Sequence, residues 1–407
     1  MAKREFDLII WGATGFTGKL VVEYLANTYG VNGPLKWAIA GRSREKLEKV
    51  RVDCLDTSQR EQLPLVLADS NDTASLEDMV ARTRVVCTTV GPYAKYGTPL
   101  VVACAAAGTD YCDLTGEVPW MAQVIPQVQE AAEHSGARIV HTCGFDSIPS
   151  DLGTWFLQQQ MQARHGVTAF RVKGRVGRNR GTASGGTIAS MLNMMEEAGR
   201  DPSIRKLVAD PYALYPPGIP AGLDENDQSG PRFDPDFHQW TSPFIMAVVN
   251  TRVVRRSNAI MGFPWGEDFR YDEAMLNRSR FSATRAALAT GAGMVTLALG
   301  PPRRLAQRFL PAPGEGPSRR QREAGYYEIF FHGAHPTCRD DDMLVKVTGD
   351  MDPGYGSTSK MLGEAAVCLA QDKPITGGGC WTPASALGQQ LLERLTANAG
   401  LTFEVIR

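Results

Sequence analysis

The stretch Phe6-Asp-Leu-Ile-Ile-Trp11-Gly12-Ala-Thr-Gly15-Phe-Thr-Gly18 decides the fold of this chain. An apolar run of strand length leads into three evenly spaced glycines, and residues 18–29 then carry apolar side chains at helical spacing. Glycines in a strand-to-helix turn let backbone N–H groups approach a phosphate, and the helix N-terminus adds a favourable dipole. The turn therefore predicts a dinucleotide-binding site, although an ordinary tight turn has a similar composition. The residues of the predicted site are Gly12, Thr14, Gly15, Phe16, Thr17 and Gly18.

Apolar runs of strand length recur through the first 150 residues and alternate with helical patterns. After 6–11 the runs are 36–40, 63–68, 85–90, 110–113 and 137–141, and helical patterns lie at 43–50, 75–83 and 98–107. Such β-α-β alternation is typical of a parallel sheet covered by helices on both faces. We predict an α/β fold with a Rossmann doubly wound parallel sheet in residues 1–150.

The pattern changes beyond residue 150. A Met-rich helix is predicted at 187–198, strand-like stretches lie at 245–254, 326–332 and 343–349, and helical stretches at 357–370 and 383–398. Because 407 residues exceed what one hydrophobic core usually serves, we predict a second, smaller α/β domain. It should span 151–355 with a mixed or antiparallel sheet in which 326–332 pairs with 343–349. Residues 356–407 should form C-terminal helices that pack back on the Rossmann domain.

The end of the second predicted strand indicates which dinucleotide is bound. Sites that prefer NAD place a carboxylate there to hold the ribose 2'-hydroxyl. This chain has Gly41-Arg42-Ser43 instead, with Lys46 one helical turn further on. Arg42, Ser43 and Lys46 suit a 2'-phosphate, so we predict NADP. The alternative is a surface arginine at the start of a helix.

The composition excludes several classes of protein. With 43 basic and 44 acidic residues the net charge is -1, which argues against nucleic acid as a partner. The eight cysteines are scattered without a Cys-x-x-Cys pair, as expected for reduced thiols in a cytosolic protein. The N-terminus has no signal-peptide pattern, so we expect a cytoplasmic location.

The segment His332-Gly-Ala-His335-Pro-Thr-Cys338, followed by three aspartates, contains residue types that bind zinc. The spacing is unusual, and the segment also fits an exposed turn between two strands. We predict the turn and no metal.

Residues 286–300 carry no charge and are flanked by Arg280 and Arg285 before and by Arg303 and Arg304 after. Spanning a bilayer takes about twenty apolar residues, so this stretch is too short for a transmembrane helix. Three interpretations stay open: a buried helix of the second domain, a homodimer contact, and an element that docks on a membrane or an acyl chain.

Nine motifs along the chain belong together. They are the turn at 12–18, Ala40-Gly-Arg42, Val90-Gly-Pro-Tyr93, Gly108-Thr-Asp-Tyr-Cys-Asp-Leu-Thr-Gly-Glu117, Gly144-Phe-Asp-Ser-Ile-Pro-Ser-Asp151, Ser184-Gly-Gly-Thr187, Pro313-Gly-Glu-Gly-Pro-Ser318, Asp352-Pro-Gly-Tyr-Gly356 and Gly377-Gly-Gly-Cys-Trp-Thr-Pro383. With them the chain resembles, nearly end to end, the trans-acting enoyl reductase branch of the saccharopine dehydrogenase-like oxidoreductases. The resemblance implies a Rossmann domain, a smaller α/β substrate domain and a nicotinamide cofactor. It also implies reduction of an enoyl double bond on a polyketide-derived thioester, but it identifies no catalytic residue.

Such a reduction needs a donor for the enolate oxygen and a proton source for the α-carbon. Gly91 and Pro92 follow the fourth strand and are expected beside the ribose and nicotinamide. The catalytic candidates on the loops after the fourth, fifth and sixth strands are Tyr93, Tyr111, Asp146 and Ser147. The tyrosines and the serine are candidate oxyanion donors, and Asp146 could orient one of them. Turn formation and helix capping are the alternative roles for each.

The predicted function is that of an NADPH-dependent oxidoreductase that reduces an enoyl double bond of an apolar thioester or lipid-like substrate. A dehydrogenase of amino-acid-derived imines, saccharopine-like, is one alternative. The other is a lipid-associated protein that binds NADP without turnover.

Overall fold

The computed structural model of the chain describes residues 4–181, 185–298, 316–372 and 374–407. The strands in these ranges are β1 (Phe6–Trp11), β2 (Trp37–Gly41), β3 (Leu65–Leu67), β4 (Thr83–Thr88), β5 (Asp110–Cys112), β6 (Arg138–Val140), β7 (Arg171–Arg180), β8 (Arg232–Asp234), β9 (Gln239–Ser242), β10 (Arg270–Asn277), β11 (Tyr326–Ala334), β12 (Met343–Gly349), β13 (Gly379–Trp381) and β14 (Leu401–Val405). The helices are α1 (Phe16–Tyr29), α2 (Arg44–Cys54), α3 (Thr57–Arg60), α4 (Thr73–Ala81), α5 (Tyr93–Ala107), α6 (Val118–Ser135), α7 (Ile148–His165), α8 (Gly185–Arg200), α9 (Pro202–Ala209), α10 (Ala247–Ile260), α11 (Arg280–Ala298), α12 (Arg319–Glu323), α13 (Thr358–Gln371) and α14 (Pro383–Asn398).

The first sheet is parallel throughout and has the strand order β13-β6-β5-β4-β1-β2-β3. β1 pairs with β2 on one side and with β4 on the other, so the winding direction reverses between β1 and β4. A ligand of such a sheet binds outside the carboxyl ends of the strands at this reversal. Side chains of β1 are buried on both faces, Leu8 and Ile10 in one core and Ile9 and Trp11 in the other. The predicted Rossmann sheet is confirmed.

The C-terminal residues contribute to both sheets. α13 and α14 confirm the two predicted helical stretches, and α13 packs against α1 and β4 of the first sheet. β13 adds a seventh strand beside β6, and β14 pairs with β12 in the second sheet. The sequence did not predict these strands, because runs of three and five residues give little periodicity. The domain limits 1–150, 151–355 and 356–407 stay a prediction.

The second sheet is mixed, with the order β14-β12-β11-β7-β10-β9-β8. β7 and β10 are parallel, and the other pairs are antiparallel. Val172, Phe331 and Val345 from one face of this sheet pack with Leu157 of α7 in one core. The predicted pairing of 326–332 with 343–349 is confirmed by β11 and β12, and the Met-rich helix by α8.

The prediction of a strand at 245–254 is wrong, because these residues lead into and form most of α10. The valines at this position fit a strand pattern, and they misled the prediction. In the structure α10 is buried on nearly all sides, including its polar residues Asn250 and Arg252. Tertiary burial therefore overrides the local preference of the valines.

Candidate active site

The glycine turn between β1 and α1 is tightly constrained. Gly12 has a φ of 87°, and a Cβ at this position would lie 2.6 Å from Val90 Cγ2. A Cβ at Gly18 would lie 2.2 Å from the Gly12 carbonyl oxygen, so α1 can approach the turn only because this residue is glycine. At Gly15 a Cβ would meet only that oxygen within 4 Å, at 3.4 Å, which leaves open space in front of the turn.

The first turn of α1 has backbone groups available for an anion. Gly15 is the N-cap and provides no side chain to cap the N–H groups of Phe16, Thr17 and Gly18. Free N–H groups and the helix dipole suit a pyrophosphate. The Phe16 ring packs edge-on against Tyr355, with 4.7 Å between the centroids, and this contact anchors the start of the helix.

The end of β2 lies beside the glycine turn, because a Cβ at Gly41 would lie 3.8 Å from Thr14 Cγ2. Arg42 follows and is exposed, and its guanidinium has no ion pair or hydrogen bond with any residue that the structure describes. Ser43 caps α2, its Oγ accepting the Lys46 N–H at 3.4 Å, which leaves the serine hydroxyl proton free to be donated. This arrangement fits a 2'-phosphate.

The loop after β4 lies against the glycine turn. Thr89 Oγ1 donates a hydrogen bond to the Gly12 carbonyl at 3.2 Å, and the Thr89 N–H donates to the Trp11 carbonyl at 3.0 Å. These bonds hold the following residues, Gly91 and Pro92, next to the predicted phosphate site.

Glu117 occupies the N-terminus of α5. Its carboxylate accepts the N–H of Tyr93 at 2.8 Å and of Ala94 at 2.9 Å. Ser190 Oγ of α8 donates to the same carboxylate at 2.7 Å. Burial raises the pKa of Glu117, and these hydrogen bonds oppose that effect. The N-terminus of α5 is therefore capped by a side chain of the protein, whereas the N-terminus of α1 is not.

The hydroxyls of Tyr93 and Tyr111 are engaged inside the protein. Tyr93 Oη donates to the Thr88 carbonyl at 3.2 Å, and its ring stacks on Trp120. Tyr111 Oη donates to Asp113 Oδ2 at 2.9 Å. Burial is the largest cause that raises the pKa of both hydroxyls well above their usual range. This placement argues against the predicted role of either tyrosine as an oxyanion donor.

Asp113 and His141 form a buried pair that the sequence analysis missed. They follow the adjacent strands β5 and β6, and Asp113 Oδ2 lies 2.7 Å from His141 Nδ1. Asp113 Oδ1 accepts the N–H groups of Thr115 and Thr142, both at 3.0 Å. His141 Nε2 has no hydrogen-bond partner among the described residues. A signal was present, because residues directly after neighbouring parallel strands meet at the same edge of the sheet.

Asp146 is the catalytic candidate with a free carboxyl group. It is half-buried in the loop between β6 and α7, and no described residue forms a hydrogen bond or ion pair with it. A Cβ at Gly116 would lie 3.6 Å from Asp146 Oδ2 and 3.6 Å from Val249 Cγ2, so the carboxyl group lies near the loop after β5 and α10. Removal from water raises the pKa of Asp146 to about 7. Near neutral pH it can therefore hold or release a proton.

Ser147 contacts α10 and not Asp146. Its Oγ donates to Asn250 Oδ1 at 3.3 Å, and Asn250 Nδ2 donates to Glu273 Oε2 at 2.9 Å. Tyr271 Oη donates to the same glutamate at 2.5 Å. Burial raises the pKa of Glu273. The four catalytic candidates are therefore not joined in one hydrogen-bonded group, and Asp146 orients none of the other three.

Comparison with known proteins identifies the family. Residues 8–140 match the family described as saccharopine dehydrogenase NADP binding domain. A relative from Mycobacterium tuberculosis, provisionally named a trans-acting enoyl reductase, is 42% identical over 419 residues, 99% of this chain and 98% of the relative. The trans-acting enoyl reductase of Mycobacterium bovis is 40% identical over 423 residues, 100% of this chain and 99% of that protein. This chain belongs to the trans-acting enoyl reductase family.

A solved structure shares the fold of this family member. Apo saccharopine dehydrogenase (L-Glu forming) from Saccharomyces cerevisiae has a TM-score of 0.54 at 13% identity, covering 98% of this chain and 99% of that chain. At this identity the likeness shows a common two-sheet fold and nothing about the substrate.

The NADP-binding domain makes this member of the enoyl reductase family an NADP-dependent oxidoreductase. The geometry fits that cofactor, because Gly15 leaves open space at the N-terminus of α1 and Arg42 has no partner within the described residues. The assignment of each single residue to the cofactor stays a prediction.

Two residues of the histidine segment lie close to His165 of α7, which brings three potential metal ligands together. Ligand atoms of His165, His335 and Asp341 lie within 4.8 Å of one another. His335 Nδ1, however, accepts the N–H groups of Thr337 at 3.2 Å and Cys338 at 3.0 Å. In the neutral ring Nε2 then carries the proton, so His335 has no lone pair left for a metal. The turn interpretation fits residues 335–341 better than a zinc site does. It is wrong for His332, which is buried in β11 with its Nε2 3.3 Å from Asp342 Oδ2.

Proposed function

We propose that the protein reduces the carbon–carbon double bond of an enoyl thioester, or of a similarly apolar lipid-like substrate, with NADPH. The observation that carries this proposal is the similarity, over nearly the full length, to trans-acting enoyl reductases. The free carboxyl group of Asp146, in the loop after β6 of the first sheet, supports it because the reaction needs a proton donor.

Asp146 is the proposed proton donor. When bound, NADPH would supply the hydride for the β-carbon of the substrate. The protonated carboxyl of Asp146 then gives its proton to the α-carbon of the resulting enolate. The carboxylate that remains takes up a proton from water before the next turnover. The half-buried position of Asp146, which raises its pKa to about 7, keeps part of the population protonated for this step.

A dehydrogenase of amino-acid-derived imines is the first alternative. A polycarboxylate substrate needs unpaired basic side chains as partners. The basic row on β7 is already neutralised: Lys173 Nζ lies 3.0 Å from Asp234 and 2.7 Å from Asp236. Arg175 Nε lies 2.7 Å from Asp234, and Arg171 lies 3.1 Å from Asp236. Arg171, Lys173 and Arg175 therefore offer no free cation to such a substrate, which argues against an imine dehydrogenase that would bind its substrate through these three residues.

Measuring NADPH consumption distinguishes enoyl reduction from the two alternatives, an imine dehydrogenase and an NADP-binding protein without turnover. We expect the protein to oxidise NADPH when it is given a dodecenoyl N-acetylcysteamine thioester, and not when it is given an amino acid with a 2-oxo acid. Oxidation only with the second mixture would show an imine dehydrogenase. Binding of NADPH without oxidation by either would show the lipid-associated protein without turnover.

α11 contains most of the charge-free stretch at 286–300; residues 299–300 lie outside the described ranges. Leu288 is 69% exposed and no described side chain of residues 286–298 is buried, so the interpretation of this stretch as a buried helix is wrong for the described side chains. Phe281, earlier in α11, is 73% exposed. Within the described ranges, no helix combines the length and apolarity needed to cross a bilayer. We propose that this exposed surface makes a peripheral contact with a membrane or an acyl chain, helped by Arg280 and Arg285.

A homodimer through the same helix is the alternative to lipid contact. Flotation with anionic liposomes should carry the protein, and Leu288→Glu should reduce the floated fraction. If instead the wild type does not float but sediments as a dimer, and Leu288→Glu sediments as a monomer, the surface is a contact between two copies.

A further inference from the structure

Buried arginines reveal a site outside the dinucleotide crevice. Among the residues that the structure describes, the buried ones are Arg175, Arg252, Arg255 and Arg256. The first three each have a carboxylate partner, and these partners are Asp234, Asp227 and Asp224. Arg256 is 5% exposed and has no such partner in the described part of the chain. A buried charge without a counter-ion costs several kcal/mol, about the size of a lost ion pair, so its presence needs an explanation.

Arg256 is held by backbone carbonyls alone. Its Nη1 donates to the Leu214 carbonyl at 2.8 Å, and Nη2 donates to the Cys380 carbonyl at 2.9 Å. Nε has no hydrogen-bond partner among the described residues. Burial lowers the pKa of Arg256, which reflects the cost of the uncompensated charge. The guanidinium is thus held in position by hydrogen bonds, but its positive charge has no counter-ion among the described residues.

Arg256 is among the residues that line a cavity of about 530 Å³ between α6, the segment 213–217, the end of α10 and β13. This volume is in the range of small-molecule sites. Its apolar lining includes Ile125, Leu214, Ile260 and Trp381. Glu130 and Glu133 also line the cavity, and both are exposed on the solvent side of α6.

We propose that this cavity binds an amphipathic monocarboxylate, with its carboxylate at Arg256 and its hydrocarbon body along the apolar lining. A carboxylate supplies the counter-charge that Arg256 lacks, and it accepts hydrogen bonds in the fork geometry of a guanidinium. Glu130 and Glu133 repel a second negative charge, so a ligand with one charge is favoured over a dicarboxylate.

This site is distinct from the predicted cofactor site. Its lining shares no residue with the glycine turn, the end of β2 or the loops that carry Asp146 and Glu117. The proposal therefore does not depend on the proposed enoyl reduction, and a protein without that activity could still bind the ligand here.

Titration calorimetry with laurate tests the proposal on the full chain. We expect saturable binding of laurate, with lauryl alcohol and dodecanedioate each weaker by about tenfold or more. Arg256→Met should abolish the preference for laurate over the alcohol, and a retained thermal shift with NADPH would show that this variant is folded.

Two variants on α6 test the proposal without changing Arg256. Ala122→Trp fills the cavity from α6 and should remove laurate binding, whereas Ala131→Trp changes an exposed position of the same helix outside the cavity. Absence of saturable laurate binding to the wild type would overturn the proposal. So would equal affinity for laurate and lauryl alcohol, or undiminished binding to Ala122→Trp.

Discussion

Ser190 Oγ donates a 2.7 Å hydrogen bond to Glu117 Oε1, and this bond joins α8 to the residue that caps α5. The two oxygens of Glu117 also accept the N–H groups of Tyr93 and Ala94. The position of α8 is therefore coupled to the helix that begins directly after Gly91 and Pro92. A movement of α8 would uncover one oxygen of a buried carboxylate at the edge of the predicted cofactor site.

Glu117→Gln should lower the free energy of unfolding by about 1–2 kcal/mol, because an amide has one acceptor oxygen for two N–H groups. Urea denaturation measures this loss. Ser190→Ala is the matched variant, since it removes only the bond from α8. It should cost less stability, about 1 kcal/mol, but speed up amide hydrogen exchange in α8. Unchanged exchange in α8 would show that Ser190 does not hold this helix.

Gly15→Ala should impair mainly NADPH binding, whereas Gly18→Ala should impair mainly stability. A Cβ at Gly18 would lie 2.2 Å from the Gly12 carbonyl, so Gly18→Ala should lower the melting temperature. At Gly15 the same methyl group meets only that oxygen, at 3.4 Å, but it fills the open space in front of the turn. Gly15→Ala should therefore stay folded and lose affinity for NADPH, measured by cofactor fluorescence. Wild-type affinity in Gly15→Ala would place the pyrophosphate elsewhere.

Arg42→Ala should raise the Michaelis constant for NADPH by roughly 10- to 100-fold, which corresponds to the free energy of a charged hydrogen bond to phosphate. The constant for NADH should change little, because NADH has no 2'-phosphate. Arg44→Ala serves as the control, since Arg44 is also exposed and lies two residues further on in α2. Equal effects on NADPH and NADH would contradict the role of Arg42.

The Rossmann sheet was predictable because its strands are continuous apolar runs and its first turn needs glycine. The helix α10 was not predictable, because the valines around residue 250 suit a strand and only their burial in the tertiary structure makes a helix. β13 was not predictable either, since three residues acquire their role only from the edge of β6. The local sequence pattern predicts secondary structure correctly where the tertiary environment favours the same element. It fails where burial in the tertiary structure favours another element.

In the candidate site, too, some features were predictable from the sequence and others were not. Gly12 is required by its positive φ, and Gly18 by its close approach to the Gly12 carbonyl, whereas Gly15 leaves open space in front of the turn. The state of a polar side chain depends on what surrounds it, so Tyr111 and Asp146 looked alike in the sequence. In the structure Tyr111 Oη is bonded to a buried carboxylate, whereas Asp146 has no partner within the described residues.

The pH dependence of turnover should distinguish Asp146 from the other buried carboxyl groups. A general acid acts only while protonated, so the rate of the wild type should fall as the pH rises through about 7, the pKa of Asp146. Asp146→Asn should lower the rate by about 10²- to 10⁴-fold and leave little pH dependence in this range. Substrate saturation at each pH separates this effect from binding. A wild-type profile that persists in Asp146→Asn would exclude Asp146 as the donor.

Asp151 provides the matched control, because burial raises its pKa to about 7 as well. Its carboxylate accepts a hydrogen bond from the Ala384 N–H at 2.8 Å, so Asp151→Asn should cost stability without changing the pH profile of turnover. The stability of the wild type adds a second test of Asp146. A folded-state pKa above the ordinary 3.8 means that the folded protein binds more protons in this window, so stability falls as the pH rises from about 4 to 7. In Asp146→Asn the contribution of this residue to that decline should disappear.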